Sequence, residues 1–226
     1  MKICAISDLH GYLPKIEPCE LLLICGDIVS LKCQEYHQSC RKWYLKKFKP
    51  WVEGLPCEKV LFIPGNHECG MENNEDEFKR LFSRSNKATL LIHENYEYIS
   101  NDGQIFKIFG TPYCKKFGDW AYMRENETLE EKFSEIPEGL DILMTHDAPY
   151  GCNDICVEST PWNTFEHLGN IPLRETIIKK NPKLVLHGHL HSSLHEFESL
   201  GESKVINCSI KNENYEPIYS PLLLDV

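Results

Sequence analysis

The 226-residue sequence lacks several features that define other protein classes. It has no apolar run near the ~18 residues that a membrane-spanning helix needs, no internal repeat and no low-complexity linker. Basic residues are not in excess either, because 24 Lys and Arg against 34 Asp and Glu give a formal net charge of −10. Since non-specific nucleic-acid binding depends on a basic surface, this charge argues against such a role. We therefore expect a single globular domain over residues 1–226 with no membrane partner.

Cysteine, by contrast, is abundant, with an odd total of 11. Cys4 and Cys25 fall inside apolar strand patterns, where free thiols behave as small hydrophobic residues. The first residues, MKICAISDLHG, run straight into such a strand and do not read as a secretory signal. These features predict a reduced, cytoplasmic protein without disulfides. Cys152 and Cys156 have C-x3-C spacing, but no second Cys/His pair completes a zinc site at a familiar spacing.

Five short apolar runs, KICAIS, ELLLIC, KVLFIP, DILMT and KLVL, each end in a cluster of polar residues. Continuous apolar runs of this length predict strands that are buried on both faces. In open α/β sheets, ligands bind beyond the carboxyl ends of the strands. We therefore expect the five polar clusters to converge on one rim.

Helical spacing of apolar residues predicts helices within residues 34–54, 73–84 and 173–182, the last stopping at Asn181-Pro182. The segments ATLLIH, YEYI, QIFKIFG, SKVINCS and IYSPLLLDV are predicted to be strands of a second sheet. SNDGQ, between the second and third of these segments, is a predicted hairpin turn.

The polar clusters combine carboxylate, amide and imidazole groups. The stretch KLVLHGHLHSSLHEF carries alternating histidines that, taken alone, fit a polar strand edge, chance or a metal site. Taken together, the clusters hold more oxygen and nitrogen ligands than one small ion normally takes, and about the number that suits two ions bridged by a carboxylate. The candidate residues are Asp8, His10, Asp27, Asn66, His67, His146, His189 and His191.

The order of these clusters, D-x-H, G-D, G-N-H-E, H and G-H-x-H, resembles the calcineurin-like metallophosphoesterase superfamily. The resemblance extends from Asp8 to His191. It implies a four-layer α/β/β/α sandwich of two mixed sheets flanked by helices. FGTPYCKKFGDWAYM and THDAPYG are similar to the small MPPED-like branch, although Asp147 and Ala148 stand where that branch often has Gly-Pro.

The resemblance also implies a ligand set for two divalent ions, with Mn, Fe or Zn favoured over Ca because the ligands mix nitrogen and oxygen. Gly188 would let the backbone approach the ligands closely. Asp8, His10 and His191 would hold the first ion, Asn66, His146 and His189 the second, and Asp27 would bridge the pair.

His67 would be the general acid that protonates the leaving alkoxide, a contribution of typically about 10²–10⁴-fold. The alternative is a donor that only steadies a phosphate oxygen. Glu68 would orient the ring of His67 or a ligand. His187 is expected to be structural, and His195 to lie at the surface.

The implied function is hydrolysis of a small phosphodiester by metal-activated hydroxide attack. Two alternatives remain: a phosphomonoesterase that acts on a nucleotide, sugar phosphate or phosphoprotein, and an inactive scaffold that keeps the fold for binding. The sequence IPG before the Asn-His pair lacks the arginine typical of Ser/Thr protein phosphatases. Residues 117–127 and 151–165 are expected to form the pocket wall.

Overall fold

The computed structural model describes residues 1–155 and 166–226. Two mixed β-sheets pack face to face, with strands and helices numbered below in chain order. The first sheet contains, in spatial order, β13 (Leu222–Asp225), β1 (Lys2–Ile6), β2 (Cys19–Cys25), β3 (Cys57–Ile63) and β4 (Ala88–Leu90). The second contains β11 (Glu198–Leu200), β12 (Ser203–Asn207), β10 (Leu184–His187), β9 (Ile142–Thr145), β6 (Ile105–Thr111) and β5 (Glu94–Ile99). A short parallel pair joins β7 (Cys114–Lys115) and β8 (Met123–Arg124).

The inner strands of both sheets are parallel, and the antiparallel strands lie at the edges. In the first sheet only β13 runs against its neighbour, β1. In the second sheet β5 and β11 are antiparallel to β6 and β12. Two of the strands predicted for the second sheet belong to the first, because β4 pairs with β3 and β13 pairs with β1.

Alternation along the strands explains their continuous apolar sequences. In β2, Leu21 and Leu23 pack between the two sheets, whereas Leu22 and Ile24 pack against the helices. Successive side chains of a strand point to opposite faces, so a strand between two cores needs apolar residues at every position. The four-layer α/β/β/α architecture is thereby confirmed.

Helices cover the outer face of each sheet. On the first sheet, the predicted long helix is divided into α1 (His37–Trp43), a π-helical turn (Tyr44–Phe48) and α2 (Lys49–Gly54). The remaining helices are α3 (Cys69–Glu72), α4 (Glu75–Phe82), α5 (Asn126–Ser134) and α6 (Ile171–Lys180). Helix α6 ends where expected, at Asn181 in the left-handed conformation, φ 47°. The hairpin between β5 and β6 also lies where predicted, with Gly103 at φ 85°.

Within the described ranges, no helix combines the length and apolarity required to cross a membrane. Ten cysteines lie in those ranges, and all ten are free thiols. The disfavoured zinc clip includes Cys156, which is outside the described residues.

Candidate metal centre

The predicted site residues converge at the carboxyl ends of parallel strands from both sheets. The loops after β1 and β2 run side by side, because the N–H of Asp8 donates to Gly26 O at 3.1 Å and that of His10 donates to Asp27 O at 2.9 Å. A hydrogen bond from Nδ1–H of His146 to Cys25 O, 2.7 Å long, connects the second sheet to the first. The rim predicted from separate sequence clusters is therefore one region of the structure, built by both sheets.

Four of the predicted ligands lie in the left-handed backbone region. Their φ angles are 57° for Asp8, 42° for His10, 52° for Asp27 and 69° for His189. Non-glycine residues rarely adopt this region, and each instance costs on the order of 1–3 kcal/mol. Such strain is retained where the surrounding structure requires it, and here it directs side chains from separate loops to one point.

The first group of ligand atoms brings together Asp8, His10 and His191. Nε2 of His10 lies 3.1 Å from Nε2 of His191, which in turn lies 3.3 Å from Oδ1 of Asp8. Oδ2 of Asp27 is 3.6 Å from Nε2 of His10. All of these groups are buried.

The second group lies on the other side of Asp27. Nε2 of His146 is 3.3 Å from Oδ1 of Asp27 and 3.0 Å from Oδ1 of Asn66. The ring of His189 lies beside that of His146, with centroids 5.1 Å apart. Asp27 thus presents one carboxylate oxygen to each group, which is the arrangement expected of a bridging ligand.

Apart from His189, which is not among the clustered ligand atoms found in the described residues, these side chains fit two divalent ions in spacing and in chemistry. Ligand atoms at ~2.1 Å from a shared ion are separated by about 3.0–3.4 Å, close to the separations found here. The outward nitrogens of two rings are occupied, since His146 donates from Nδ1 to Cys25 O at 2.7 Å and His191 donates from Nδ1 to Asn212 O at 3.0 Å. Such bonds fix the ring so that Nε2 faces the centre.

When no cation is bound, burial and the charges of neighbouring side chains determine which of these ligands are protonated. Burial alone would lower the pKa of His146 and His191, but Asp27 and Asp8 raise these values to about 10 and about 9. Burial lowers the pKa of His10 to about 3. For Asp27, burial opposes ionisation, yet the nearby histidines hold its pKa well below the usual range. Cations that bind here would displace the protons of His146 and His191.

Two glycines allow the loops to approach the ligands. A Cβ at Gly188 would overlap Oγ of Ser7 and Oδ2 of Asp8, and one at Gly65 would overlap Oδ1 of Asp27. The predicted close approach at Gly188 is confirmed, and its cause is lack of space rather than a positive φ.

His67 lies at the edge of the centre. Its backbone N–H donates to Oδ1 of Asp27 at 2.8 Å, and its Nε2 is 3.8 Å from Oδ2 of the same residue. Its Nδ1 lies 2.6 Å from Oε1 of Gln34, a residue that no sequence motif identified. The ring packs on Trp120, with centroids 4.6 Å apart.

Glu68 orients the ligand-bearing loops and not the ring of His67. Its buried carboxylate accepts five hydrogen bonds of 2.6–3.1 Å, from backbone N–H groups and one tyrosine hydroxyl. Burial and the charge of Asp27 raise its pKa to about 7. The donors are the N–H groups of Asp27, Ile28, Val29 and Gly65 and the hydroxyl of Tyr44.

The structure also shows the surroundings of Asp147, His187 and His195. Asp147 accepts hydrogen bonds from protein donors, including the backbone N–H of Lys115 at 2.7 Å. His187 is fully buried, as expected of a structural histidine. The surface prediction for His195 is wrong, because this ring is half-buried and donates to the carbonyl of His191 at 3.0 Å.

Exposed aromatic rings surround the opening of the centre. Phe117 lies over His189 with centroids 5.5 Å apart, and Trp120 lies over His67. Both belong to the predicted wall at 117–127, whereas most of the wall predicted at 151–165 lies outside the described residues. The ring of Tyr215 packs edge-on against that of His10, with centroids 4.8 Å apart. Tyr215 was not predicted, because its loop carries no recognisable motif.

Comparisons with known proteins identify the family of this chain. Residues 1–193 match the family model of the calcineurin-like phosphoesterases, and the chain belongs to that family. It is 27% identical over 244 residues to metallophosphoesterase domain-containing protein 1 of Homo sapiens, covering 100% of this chain and 71% of that protein. It is also 27% identical over 242 residues to a UPF0046 protein of Caenorhabditis elegans, covering 100% of this chain and 81% of that protein.

The fold is similar to that of phosphopantetheinyl hydrolase from Mycobacterium tuberculosis, with a TM-score of 0.57 and 13% identity over 95% of this chain and 90% of that one. Family membership and the clustered Asp and His residues together support a metal-dependent phosphoesterase with a centre that fits two ions.

Proposed function

We propose that this phosphoesterase hydrolyses phosphodiesters of small molecules, with His67 as the general acid. The observation that carries the proposal is the position of Asp27, whose two oxygens face separate ligand groups while His67 lies beside it. Asp8, His10 and His191 would hold one ion, Asn66, His146 and His189 the other, and Asp27 both. Two divalent ions at these positions would acidify a water molecule and neutralise charge on a phosphoryl group.

The residues of the chain have separate tasks in this reaction. Asp8 and Asp27 contribute two negative charges, so a site loaded with two divalent ions keeps a positive excess that attracts an anionic ester. Nε2 of His67 lies 3.8 Å from Oδ2 of Asp27 and would give a proton to the leaving oxygen. The buried hydrogen bonds from the loop backbones to Glu68 would keep these groups in position when the ester binds.

The preference for a diester rests on the aromatic rings at the opening. The side chains of Phe117 and Trp120 are 60% and 38% exposed beside His189 and His67. A diester carries two organic groups and a single negative charge, so its second organic group needs an apolar surface close to the centre. Exposed aromatic side chains next to a polar site provide such a surface.

The test compares two nitrophenyl esters with Mn-loaded protein. We expect kcat/KM for bis-p-nitrophenyl phosphate to exceed that for p-nitrophenyl phosphate by about tenfold or more, which corresponds to ~1.4 kcal/mol. A preference for the monoester would replace this proposal by the phosphomonoesterase alternative. Absence of both activities in fully metal-loaded protein would favour the binding scaffold.

The acid role of His67 has its own test. A nitrophenolate leaves as a stabilised anion, whereas the phenolate released from diphenyl phosphate is more basic and needs a proton more. We therefore expect His67→Asn to lose about 10²–10⁴-fold on diphenyl phosphate and much less on bis-p-nitrophenyl phosphate. Equal losses on both esters, with unchanged metal content, would assign His67 to phosphate binding only.

The location and the partners are also proposals, based on composition and on the free cysteines. We infer a reducing compartment, the cytoplasm, because thiols such as Cys4 and Cys25 are buried without partners in disulfides. The proposed partner is a small phosphate ester, with no membrane and no non-specific nucleic-acid binding.

A further inference from the structure

Gln34 places a buried amide against the ring of His67. It follows the 3-10 turn Leu31–Cys33, is 8% exposed, and its Oε1 lies 2.6 Å from Nδ1 of His67. We propose that Gln34 is a positioning residue for the general acid: its amide oxygen accepts the Nδ1–H of His67 and thereby directs Nε2 to the metal centre. The proposal rests on the acid role proposed for His67.

The chemistry of an acid determines which way this amide points. An imidazolium that is ready to give up a proton carries hydrogen on both ring nitrogens, so each nitrogen is a donor. The partner at Nδ1 of His67 must then be an acceptor, which Oε1 of Gln34 provides and its amide NH₂ group does not. Because Nδ1 keeps its proton throughout, the proton transferred is the one on Nε2.

The two aromatic contacts of the ring restrict its tilt but not its orientation. The ring of His10 meets it edge-on, with centroids 4.7 Å apart and planes at 90°, and the Trp120 ring lies 4.6 Å away at 40°. A half-turn about the Cβ–Cγ bond would preserve both contacts and move Nε2 away from Asp27. The hydrogen bond to Gln34 distinguishes the two orientations, since the flipped ring presents a C–H group to Oε1.

Gln34 is itself joined to the loop that carries His67. Its carbonyl accepts the N–H of Gly70 at 2.8 Å, while the N–H of His67 donates to Oδ1 of Asp27 at 2.8 Å. The amide and the ring are therefore fixed to one backbone framework. A side chain held in this way places a catalytic group with little reorganisation when substrate binds.

The test is a double-mutant cycle with the full chain loaded with Mn. Gln34→Met keeps the length of the side chain and removes the acceptor, and Gln38→Met, at an exposed position of α1, is the matched control. On diphenyl phosphate, we expect Gln34→Met to lower kcat by about 10–100-fold with little change in KM, the size of effect seen when a supporting hydrogen bond is lost. On bis-p-nitrophenyl phosphate we expect a loss of less than about threefold.

The cycle separates positioning from general damage. If Gln34 acts through His67, adding Gln34→Met to His67→Asn should change the rate by less than about threefold. The proposal would be overturned if the loss in the double variant equalled the product of the two single losses. It would also be overturned if Gln34→Met lost equally on the two esters. Full activity of Gln34→Met on diphenyl phosphate would also overturn it. Activity of the unsubstituted protein on both esters tests the proposed function separately.

A second measurement does not depend on the folding of any Gln34 variant. In Zn-loaded protein labelled with ¹⁵N-histidine, the His67 signals are those that disappear in His67→Asn. We expect a proton bound to Nδ1 of His67, identified by its coupling to that nitrogen, as a hydrogen bond to Oε1 of Gln34 requires. A neutral ring with its proton only on Nε2 would contradict the proposal.

Discussion

The backbone N–H of Asp27 donates a hydrogen bond of 3.1 Å to the carboxylate of Glu68, which is completely buried behind it. Asp27 lies in the left-handed region at φ 52°, and its two oxygens face the two ligand groups. Because Glu68 also accepts the N–H groups of Ile28 and Val29, it holds the whole turn in this conformation. One buried carboxylate thus supports the residue proposed to bridge both ion positions.

Glu68→Gln should weaken metal binding without removing a ligand. The amide group of glutamine is a donor, so it would leave N–H groups of the Asp27 turn unpaired, at ~1–3 kcal/mol each. We expect a lower denaturation midpoint in the metal-free protein and a metal affinity reduced by about 10–100-fold. Chemical denaturation and calorimetric metal titration measure these effects, and unchanged values for both would exclude the supporting role.

Tyr44→Phe is the milder version of the same change. Its hydroxyl donates to Oε1 of Glu68 at 3.1 Å, while the four backbone donors remain. Losing one hydrogen bond costs about 1 kcal/mol. We expect a stability loss of this size with metal content preserved. A loss as large as that of Glu68→Gln would indicate that packing of the buried ring dominates instead.

Asp27→Asn should damage both ion positions together. An amide keeps one oxygen but loses the negative charge that both ions would share. Elemental analysis after reconstitution should therefore show fewer than one ion per chain, with activity reduced to background. Asn66→Ala is the comparison, because its side chain belongs to the second group only. If Asp27→Asn retained full metal content and activity, Asp27 would not be the bridge.

Metal binding should release protons. Asp27 and Asp8 raise the pKa of His146 and His191 to about 10 and about 9, so both rings are protonated at pH 7 in the metal-free protein. His10, with a pKa lowered to about 3, is already neutral and releases none. Because a cation competes with these protons, its affinity should rise with pH and level off above about pH 10.

Titration calorimetry in buffers of different ionisation enthalpy measures the effect directly. At pH 7 we expect His146 and His191 to release about two protons per fully loaded chain, in addition to any proton lost by an ion-bound water. An affinity that falls as pH rises from 6 to 8, or a heat independent of the buffer, would show that the ions do not displace protons from His146 and His191.

The sequence was informative where the signal is local. The runs that became β1, β2, β3, β9 and β10 were recognisable because strands between two cores need apolar residues throughout. The sheet to which β4 and β13 belong could not be recognised from the sequence, since it depends on partner strands that are distant along the chain. Pairing of Leu90 with Phe62 and of Leu224 with Ile3 leaves no trace in either segment alone.

The same difference between local and long-range signals applies to the metal centre. Side chains that follow strands in short motifs, such as Asn66 and His189, could be predicted from order and spacing. Gln34 and Tyr215 could not, because they reach the centre from a turn and a loop whose positions depend on the folded chain. Their contacts depend on geometry and not on any pattern in the sequence.

The acidic composition predicts weak binding to nucleic acid. With a net charge of −10, the chain should not bind random duplex DNA more tightly than about 10⁻⁴ M at 0.15 M salt. Fluorescence anisotropy with a labelled duplex tests this. Sub-micromolar binding that weakens steeply with added salt would instead favour a nuclease.

Two ions are expected to bind at the carboxyl ends of strands from both sheets. Native mass spectrometry of the full chain, after removal of metal and reconstitution with Mn or Zn, tests it most directly. We expect up to two ions per chain, with phosphoesterase activity that appears on loading and is lost on chelation. A chain that binds no ion after reconstitution, or hydrolyses phosphate esters equally well without one, would contradict it.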